Sequence, residues 1–214
     1  MKALIVVDVQ KDFCEGGSLA VNDAASIVPV INDLTANGEY DIVVFTQDWH
    51  PSDHKSFASN WEGKNVFDVV QLGSTDQVLW PDHCIAGEVG SQLHNDLITC
   101  LGSKEPRAKI IFFKKGMNTD VDSYSGFYDN DHSTSTGLKE CLEKRGITEV
   151  DVCGLATDFC VKFTALDAKA EGFDTTVLLE ASRGVFLGGE ADKEKTISEL
   201  TEAGVHFLKR TSDA

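Results

Sequence analysis

The sequence predicts an α/β protein, a three-layer α/β/α sandwich with a mostly parallel central sheet. Two observations predict it: apolar runs of strand length alternate with segments of helical spacing, and most of the helical segments end at a glycine. Regular alternation of this kind gives right-handed βαβ units, which place helices on both faces of a parallel sheet. A chain of 214 residues suits one domain over residues 1–214.

The first half of the chain contributes two predicted strands and one helix. KALIVVD predicts a strand over residues 2–8, and DIVVFTQ predicts another over residues 41–47. Residues 23–38 between them have helical spacing and a glycine stop at Gly38. Pro29 predicts a kink or a late start in this helix.

The second half contributes four strands and three helices. The strands are predicted at residues 109–115, 149–155 and 174–180, with an edge strand at 205–209. The helices are predicted at residues 133–146, with a Ser/Thr cap and a closing glycine, and at 161–172 and 191–204.

One segment, at about residues 48–89, breaks the alternation and forms a loop insertion. Loops of this length in compact domains are usually functional. Asp48, His50 and His54 fall within seven residues, and His83 follows later in the same segment. Carboxylate and imidazole groups suit a divalent transition metal, although the same residues also serve turns and hydrogen bonds. We expect this loop to hold one divalent ion.

Cys160 lies in GLATDFCV, which follows the apolar run EVDVC. A free cysteine behaves as a small buried hydrophobe, so packing is one interpretation. The other is a nucleophile, because the N-terminus of a helix lowers the pKa of a thiol.

Topology favours the nucleophile. In open parallel sheets, sites lie outside the carboxyl ends of the strands. Four residues fall at four such ends, namely Asp8, Asp48, Lys115 and Cys160. Taken singly, Asp8 suits a turn and Lys115 suits a solvated strand end. Together, a thiol, a carboxylate that accepts its proton and a cation that stabilises the thiolate are the parts of acyl-transfer catalysis.

Composition narrows the partners and the compartment. The net charge of −16, from 19 basic and 35 acidic residues, excludes nucleic acid and anionic membranes as favoured partners and leaves small molecules or proteins. The six cysteines lie far apart without a CxxC pair, which is typical of reduced thiols. The segment MKALIVVDVQKDF lacks a signal-peptide cleavage site, and no apolar stretch approaches membrane-spanning length. We expect a cytoplasmic protein.

Five motifs carry a resemblance to a known family. They occur in the family's order and span nearly the whole chain: DVQKDFCEGGSL, TQDWHPSDHKSF, WPDHCIAG, FFKKGMNTDVDSYSGF and GLATDFCVKFTALDA. In these motifs the chain resembles the nicotinamidases, also called pyrazinamidases, of the isochorismatase-like hydrolase superfamily. The blocks with Asp8, Lys115 and Cys160 indicate only the superfamily, and the Asp-x-His-x3-His loop with its later WPDHC is much more specific for nicotinamidases. The family's lysine directly precedes glycine, which selects Lys115 over Lys114.

The resemblance implies a fold, an activity and a set of roles. The fold is that of the isochorismatase-like hydrolases, and the activity is hydrolysis of nicotinamide or pyrazinamide through a cysteine thioester. Asp8, Lys115 and Cys160 are the implied catalytic residues, and the backbone N–H groups of Ala156 and Cys160 form the implied oxyanion hole beside a cis peptide.

The resemblance also implies binding residues for a metal and for the ring. One divalent ion, with zinc favoured and iron or manganese also suitable, holds the pyridine nitrogen, and Phe13, Trp80 and Tyr124 line the ring or belong to the core. The implied metal ligands are Asp48, His50, His54 and His83.

Two other functions are compatible with these residues. A metal-free amidohydrolase acting on a carbamoyl or ureido compound keeps Asp8, Lys115 and Cys160, but it needs no metal-binding loop. A metal-binding protein without catalysis is the second alternative, which the intact triad disfavours. The sequence leaves open the metal's identity, the breadth of amides accepted and whether the chain forms a homo-oligomer.

Overall fold

The fold is known from a computed structural model that describes residues 1–99 and 108–208. Lys209, the last residue of the predicted edge strand, and Cys100 lie outside the described residues. No helix within the described ranges is long and apolar enough to cross a membrane.

The central feature is a six-stranded sheet, and all the pairings between its neighbouring strands are parallel. The described strands are β1 (Lys2–Val7), β2 (Ile42–Asp48), β3 (Val69–Leu72), β4 (Thr75–Val78), β5 (Lys109–Lys115), β6 (Glu149–Leu155), β7 (Asp174–Arg183) and β8 (His206–Leu208). The order across the sheet is β5-β2-β1-β6-β7-β8, which puts β8 at an edge as predicted. β3 and β4 form a separate antiparallel hairpin.

Helices cover both faces of the sheet. They are α1 (Val28–Asn37), α2 (Leu138–Glu143), α3 (Lys162–Ala170) and α4 (Glu190–Glu202). Ile31 of α1 belongs to the apolar core on one face, whereas Leu142 of α2, Ala165 of α3 and Leu200 of α4 belong to the core on the other face. The predicted three-layer sandwich is therefore confirmed.

The strands read as continuous apolar runs because both faces of the sheet are covered. In β1, Ala3 to Val7 are all buried, and alternate residues enter the two cores. The predicted late start of the first helix is confirmed, since α1 begins at Val28 with proline in its first turn.

The helix predicted at residues 133–146 is shorter than expected, and its capping differs. It begins at Leu138 because Gly137 occupies the N-cap in a left-handed conformation (φ 85°), with no side chain to cap the helix. The hydroxyl of Thr136 still accepts a hydrogen bond from the backbone N–H of Leu138. One threonine therefore satisfies a helix donor, but from outside the N-cap position.

The strand order creates a crevice between β1 and β6. From β1 the chain moves outward through β2 to β5, and from β6 it moves outward in the opposite direction through β7 to β8. Loops on the two sides of such a switch point diverge, leaving a cleft at the carboxyl ends of the strands. Asp8 follows β1 and Cys160 follows β6, so both lie at this cleft.

Close approach of β1 and β6 depends on Gly154. Its φ of 116° is unfavourable for residues with a Cβ, and an added Cβ would collide with the backbone of Val7. The register between β6 and β7 also shifts at this point. Gly154 thus lets the strand bearing the Cys160 turn lie against the strand that ends at Asp8.

Candidate active site

Lys115 is the centre of the site. Its Nζ lies 2.9 Å from Oδ2 of Asp8, 2.6 Å from Oδ1 of Asp48 and 3.5 Å from Sγ of Cys160, and it donates to the carbonyl of Ser123 at 2.7 Å. Burial opposes the charge on this ammonium, but the two carboxylates outweigh burial and hold the pKa of Lys115 well above its ordinary value. The structure therefore brings together the four residues that the sequence placed at four strand ends.

Asp8 is a buried carboxylate with a shifted pKa. Burial raises the pKa of Asp8 to about 6, against the lowering effect of Lys115. Thr46 donates its hydroxyl to Oδ1 of Asp8 at 2.7 Å and accepts the backbone N–H of Asp8 at 3.2 Å. The residue itself is held in the left-handed region, with φ 49°. Its position and its pKa both suit a group that exchanges a proton near neutral pH.

Cys160 lies in a turn of π-helix, Thr157–Val161, that leads from β6 into α3. The sequence led us to expect a lowered thiol pKa at this helix start, and that expectation is wrong. Burial raises the pKa of Cys160 well above its ordinary value, and Lys115 only opposes this effect. The resting group is a neutral thiol that needs a base, and oxygen atoms of Asp8 and Asp48 lie within 4.8 Å of its sulfur.

Asp48, His50 and His83 form a donor set that fits a divalent metal ion. One donor atom of each lies within 4.8 Å of the others, and all three residues are buried. The Nδ1 atoms of His50 and His83 lie 2.8 Å from the carbonyl oxygens of Gly116 and Pro81. A carbonyl only accepts, so each Nδ1 carries a proton, and in the neutral ring each Nε2 offers a lone pair, the arrangement typical of metal-bound histidine.

The charge states of this donor set also suit a cation. Burial lowers the pKa of His83 to about 4, so its imidazole is neutral. Burial also opposes ionisation of Asp48, but Lys115 and His50 outweigh it and hold the pKa of this carboxyl well below its usual range. Burial opposes protonation of His50, but Asp48 outweighs burial and raises the pKa of His50, so a bound ion would replace a proton on this ring. The set thus offers one carboxylate and the neutral imidazole of His83 at neutral pH, with His50 available once its proton is displaced.

His54 differs from the other two histidines. Its Nδ1 accepts the backbone N–H of Ser56 at 3.2 Å and lies 2.7 Å from the Ser56 hydroxyl. Burial lowers the pKa of His54, which favours the neutral ring, and a neutral ring that accepts at Nδ1 carries its proton on Nε2. The ring of His54 is buried, and one of its nitrogens groups with His50 and Asp122. His54 therefore presents an N–H group, and not a lone pair, beside the donor set formed by Asp48, His50 and His83.

The structure explains why the residue after Lys115 is a glycine, Gly116. It has φ 63°, and an added Cβ would collide with the imidazole of His50. The chain that leaves β5 thus passes directly against a histidine of the donor set, with its carbonyl accepting from Nδ1 of His50. Only glycine permits this approach.

A cavity of about 410 Å³, including the part open to solvent, lies over Cys160. Its lining is mostly apolar and includes the three residues expected at the ring, Phe13, Trp80 and Tyr124. Asp48 and Cys160, which both contact Lys115, also line it. The lining comprises Phe13, Leu19, Val21, Asp48, Trp80, His83, Asp122, Tyr124, Ala156, Phe159, Cys160 and Val185.

The aromatic walls support one another. Trp80 donates from Nε1 to the hydroxyl of Tyr124 at 3.1 Å, and Gln77 donates to the same oxygen at 3.0 Å. The ring of Phe159 lies edge-on to Trp80, with centroids 4.9 Å apart. The peptide bond between Leu155 and Ala156 is cis, as the resemblance implied. A flat aromatic substrate would meet rings that are already fixed in place.

Sequence reasoning missed several residues of the site. Gln10 accepts the backbone N–H of Asp48 and donates to its carbonyl, both at 2.8 Å, and it is fully buried. Asp122 lies against the histidines, and Thr46 holds Asp8. Phe159 directly precedes Cys160, so adjacency was its one sequence signal. The others lie in strands or loops whose side-chain directions only the fold defines.

Comparison with known proteins shows the family to which the chain belongs. The model of the isochorismatase domain family matches residues 2–209. The chain belongs to the isochorismatase family. The nicotinamidase of Acinetobacter baylyi is 46% identical to it over 206 residues, which cover 96% of this chain and 91% of that protein.

Two solved structures are similar to this isochorismatase-family member over nearly its whole length. The yeast nicotinamidase bound to the inhibitor nicotinaldehyde superimposes with a TM-score of 0.90 at 34% identity, covering 98% of this chain and 100% of that one. The pyrazinamidase of Pyrococcus horikoshii in complex with zinc superimposes with a TM-score of 0.75 at 31% identity, covering 97% and 98%. The predicted resemblance to the nicotinamidases and pyrazinamidases is confirmed.

Proposed function

We propose that this chain is an amidohydrolase that converts nicotinamide to nicotinate and ammonia, and pyrazinamide to pyrazinoate, through a thioester on Cys160. One observation carries the proposal: Lys115 contacts Asp8, Asp48 and Cys160, and the cavity that Cys160 lines is also lined by Asp48 and His83 of the donor set. The similarity to nicotinamidases supports the choice of amide.

Acylation begins with transfer of the Cys160 proton to Asp8. The thiolate, stabilised by the ammonium of Lys115, attacks the carboxamide carbon and forms the carbon–sulfur bond. The oxygen that becomes negative is held by the backbone N–H groups of Ala156 and Cys160. Such preorganised donors each contribute about 3 kcal/mol to lowering the barrier.

Asp8 then acts as the acid instead of the base. It returns the proton to the nitrogen, the carbon–nitrogen bond breaks, and ammonia leaves. A water molecule gives a proton to Asp8 and adds its oxygen to the thioester carbon. The carbon–sulfur bond breaks, nicotinate forms, and the sulfur regains its proton. A pKa of about 6 lets one carboxyl accept and return a proton at neutral pH.

Asp48, His50 and His83 would hold one divalent ion, and the four-ligand set implied by the resemblance narrows to these three because His54 presents an N–H. A bound ion supplies a Lewis-acid contact for the pyridine nitrogen. Zinc is our choice, since a similar pyrazinamidase was solved with zinc, although the donor set also suits iron or manganese. Phe13, Trp80 and Tyr124 would pack against the ring.

The chain's domain and compartment are further proposals. We assign residues 1–214 to one domain, supported by the family match to residues 2–209. We place the protein in the cytoplasm, supported by its cysteines, because those in the described ranges are all free thiols.

The proposed function is tested by ammonia release from nicotinamide, with elemental analysis of the purified protein. We expect turnover by the wild type and none by Cys160→Ala, whose pocket should still bind nicotinamide in a calorimetric titration. Cys153→Ala is the matched control, because that buried thiol lies in β6 and does not line the cavity. Substantial turnover by Cys160→Ala would exclude the covalent route.

A further inference from the structure

One wall of the cavity belongs to a segment that the proposed chemistry does not use. Residues 184–189, here called the strap, follow the end of β7 and include Val185, which lines the cavity. The strap begins beside Arg183, whose Nε donates to Asp23 at 3.0 Å and whose Nη2 donates to Ser26 at 2.8 Å. It ends at Gly189, before α4.

The buried carboxylate of Asp158 holds the strap. Oδ1 accepts the backbone N–H of Val185 at 2.9 Å, and Oδ2 accepts the backbone N–H of Phe186 at 2.7 Å. Asp158 is 7% exposed, so these two bonds form away from bulk water. Phe186 has φ 46°, a conformation that a bulky residue adopts only when its surroundings impose it. The paired bonds to one carboxylate are such a constraint.

Asp158 is also close to the chemistry along the chain. It lies in the same π-helical turn as Phe159 and Cys160, and both of these line the cavity. One short turn therefore carries the nucleophile, one aromatic wall and the anchor for another wall. The carboxylate oxygens of Asp158 are both engaged by the strap, which leaves proton exchange to Asp8.

We propose that Asp158 is a positioning residue that fixes the distance between Val185 and Cys160, and so sets how large a ring the cavity accepts. This inference rests on the proposed function for its kinetic readout alone. An amide in place of the carboxylate keeps one acceptor but turns an NH₂ donor towards the other strap N–H, so that pair is broken and Val185 no longer closes the cavity at a fixed distance.

The test compares Asp158→Asn with Asp192→Asn. Asp192 is the matched control, because its partly buried carboxylate also accepts a strap N–H, from Gly188, outside the cavity wall. For Asp158→Asn we expect KM for nicotinamide to rise about tenfold, equivalent to ~1.4 kcal/mol, with kcat changed less than about threefold. The preference for nicotinamide over a ring-methylated nicotinamide should narrow. Asp192→Asn should leave KM and this preference unchanged.

A second measurement does not depend on turnover. Alkylation of Cys160 by bulky N-ethylmaleimide and by small iodoacetamide is followed by mass spectrometry, together with hydrogen exchange at the Val185 and Phe186 amides. In Asp158→Asn we expect faster exchange and a faster reaction with the bulky reagent relative to the small one. If the wild type proves inactive on nicotinamide, these measurements still decide the role of Asp158.

Three results would contradict the proposed role of Asp158. An unchanged KM, an unchanged ratio of alkylation rates or an equal fall in kcat and kcat/KM would overturn the proposal, the last because it would assign Asp158 to the chemical step. Should Asp158→Asn not fold, the same measurements are made on Asp158→Glu, which keeps both oxygens but displaces them by one methylene.

Discussion

At the scale of single residues, the pH dependence of the reaction depends on Asp8. Burial raises the pKa of this carboxyl to about 6, so the base is present above that pH and is lost as the pH falls through it. We expect kcat/KM for nicotinamide to be level near pH 7 and to fall about tenfold per unit below pH 6. Metal content, measured at each pH, controls for loss of the ion.

Asp8→Asn tests the same assignment. An amide neither accepts the thiol proton nor protonates ammonia, so the rate should fall by the ~10²–10⁴-fold that general acid–base catalysis contributes. Thr46→Val is a graded comparison, since it removes one hydrogen bond to Asp8 but leaves the carboxylate in place. A fall of less than about tenfold for Asp8→Asn would show that another group is the base.

The two kinds of histidine give a second prediction. His83→Ala removes a donor whose Nε2 lone pair faces Asp48 and His50, so zinc affinity should fall by more than the ~10–100-fold typical of outer-shell changes. His54→Ala removes only an N–H, and we expect a loss no larger than that ~10–100-fold range. Competition with a chromophoric chelator measures both without substrate. Equal losses would restore His54 as a ligand.

The meeting of the catalytic residues could be predicted from the sequence, because it depends on residue type and on position at the end of a strand. Asp8, Asp48, Lys115 and Cys160 meet as the topology required, because carboxyl ends of parallel strands share one edge of the sheet. The ionisation of Cys160 was not predictable. Its pKa depends on how deeply the turn is buried, and helix position alone does not define burial.

At the scale of elements, local sequence predicted strands better than helix ends. The strand at residues 149–155 has the predicted bounds because a buried parallel strand is a continuous apolar run. The helix predicted at 133–146 failed at its start, where Gly137 adopts a left-handed conformation that the Ser/Thr pattern does not reveal. The hairpin of β3 and β4 was missed, since its strands, VVQL and TDQV, are only four residues long and lie inside a segment interpreted as a loop.

Gly154 gives a prediction at this scale. In Gly154→Ala the new Cβ would meet the backbone of Val7, and the φ of 116° adds conformational strain. We expect a loss of about 3 kcal/mol in the free energy of unfolding, at the upper end of ordinary substitutions. Gly172→Ala is the matched control, since its φ is 91° but nothing lies within 4 Å of the added Cβ, and it should cost only ~1–2 kcal/mol.

Denaturant titration of the two variants separates strain from collision. The cost common to both reports the backbone conformation, and the excess in Gly154→Ala reports the approach of β1 to β6. If the two losses were equal, close packing at the crevice would not depend on this glycine.

At the scale of the whole molecule, the sheet fixes the spacing between the donor set and the nucleophile. Asp48 ends β2, and Cys160 follows β6, with β1 lying between these two strands. Because the strands are rigidly paired, the separation of the two groups is a property of the fold and not of one loop. The family and the layered architecture were predictable from sequence, whereas this spacing required the strand order.

That fixed spacing makes a prediction about substrates. If an ion held by Asp48, His50 and His83 contacts the ring nitrogen while Cys160 attacks the amide carbon, the substrate needs nitrogen at the position meta to the carboxamide. Nicotinamide and pyrazinamide meet this requirement. Benzamide lacks the nitrogen, and isonicotinamide carries it one ring position away. A site built around a polar contact rejects analogues that lack it by up to about 10⁴-fold.

We therefore expect kcat/KM for benzamide to be at least about a hundredfold below that for nicotinamide, a conservative part of that range. The two amides present the same carboxamide to Asp8, Lys115 and Cys160, so the chemical step is a built-in control. Removing the ion with a chelator should reduce the preference, because nicotinamide then loses the contact that benzamide never makes. Equal efficiency on the two amides in the metal-loaded protein would show that the donor set does not recognise the ring, and would favour a metal-free amidohydrolase with a different substrate.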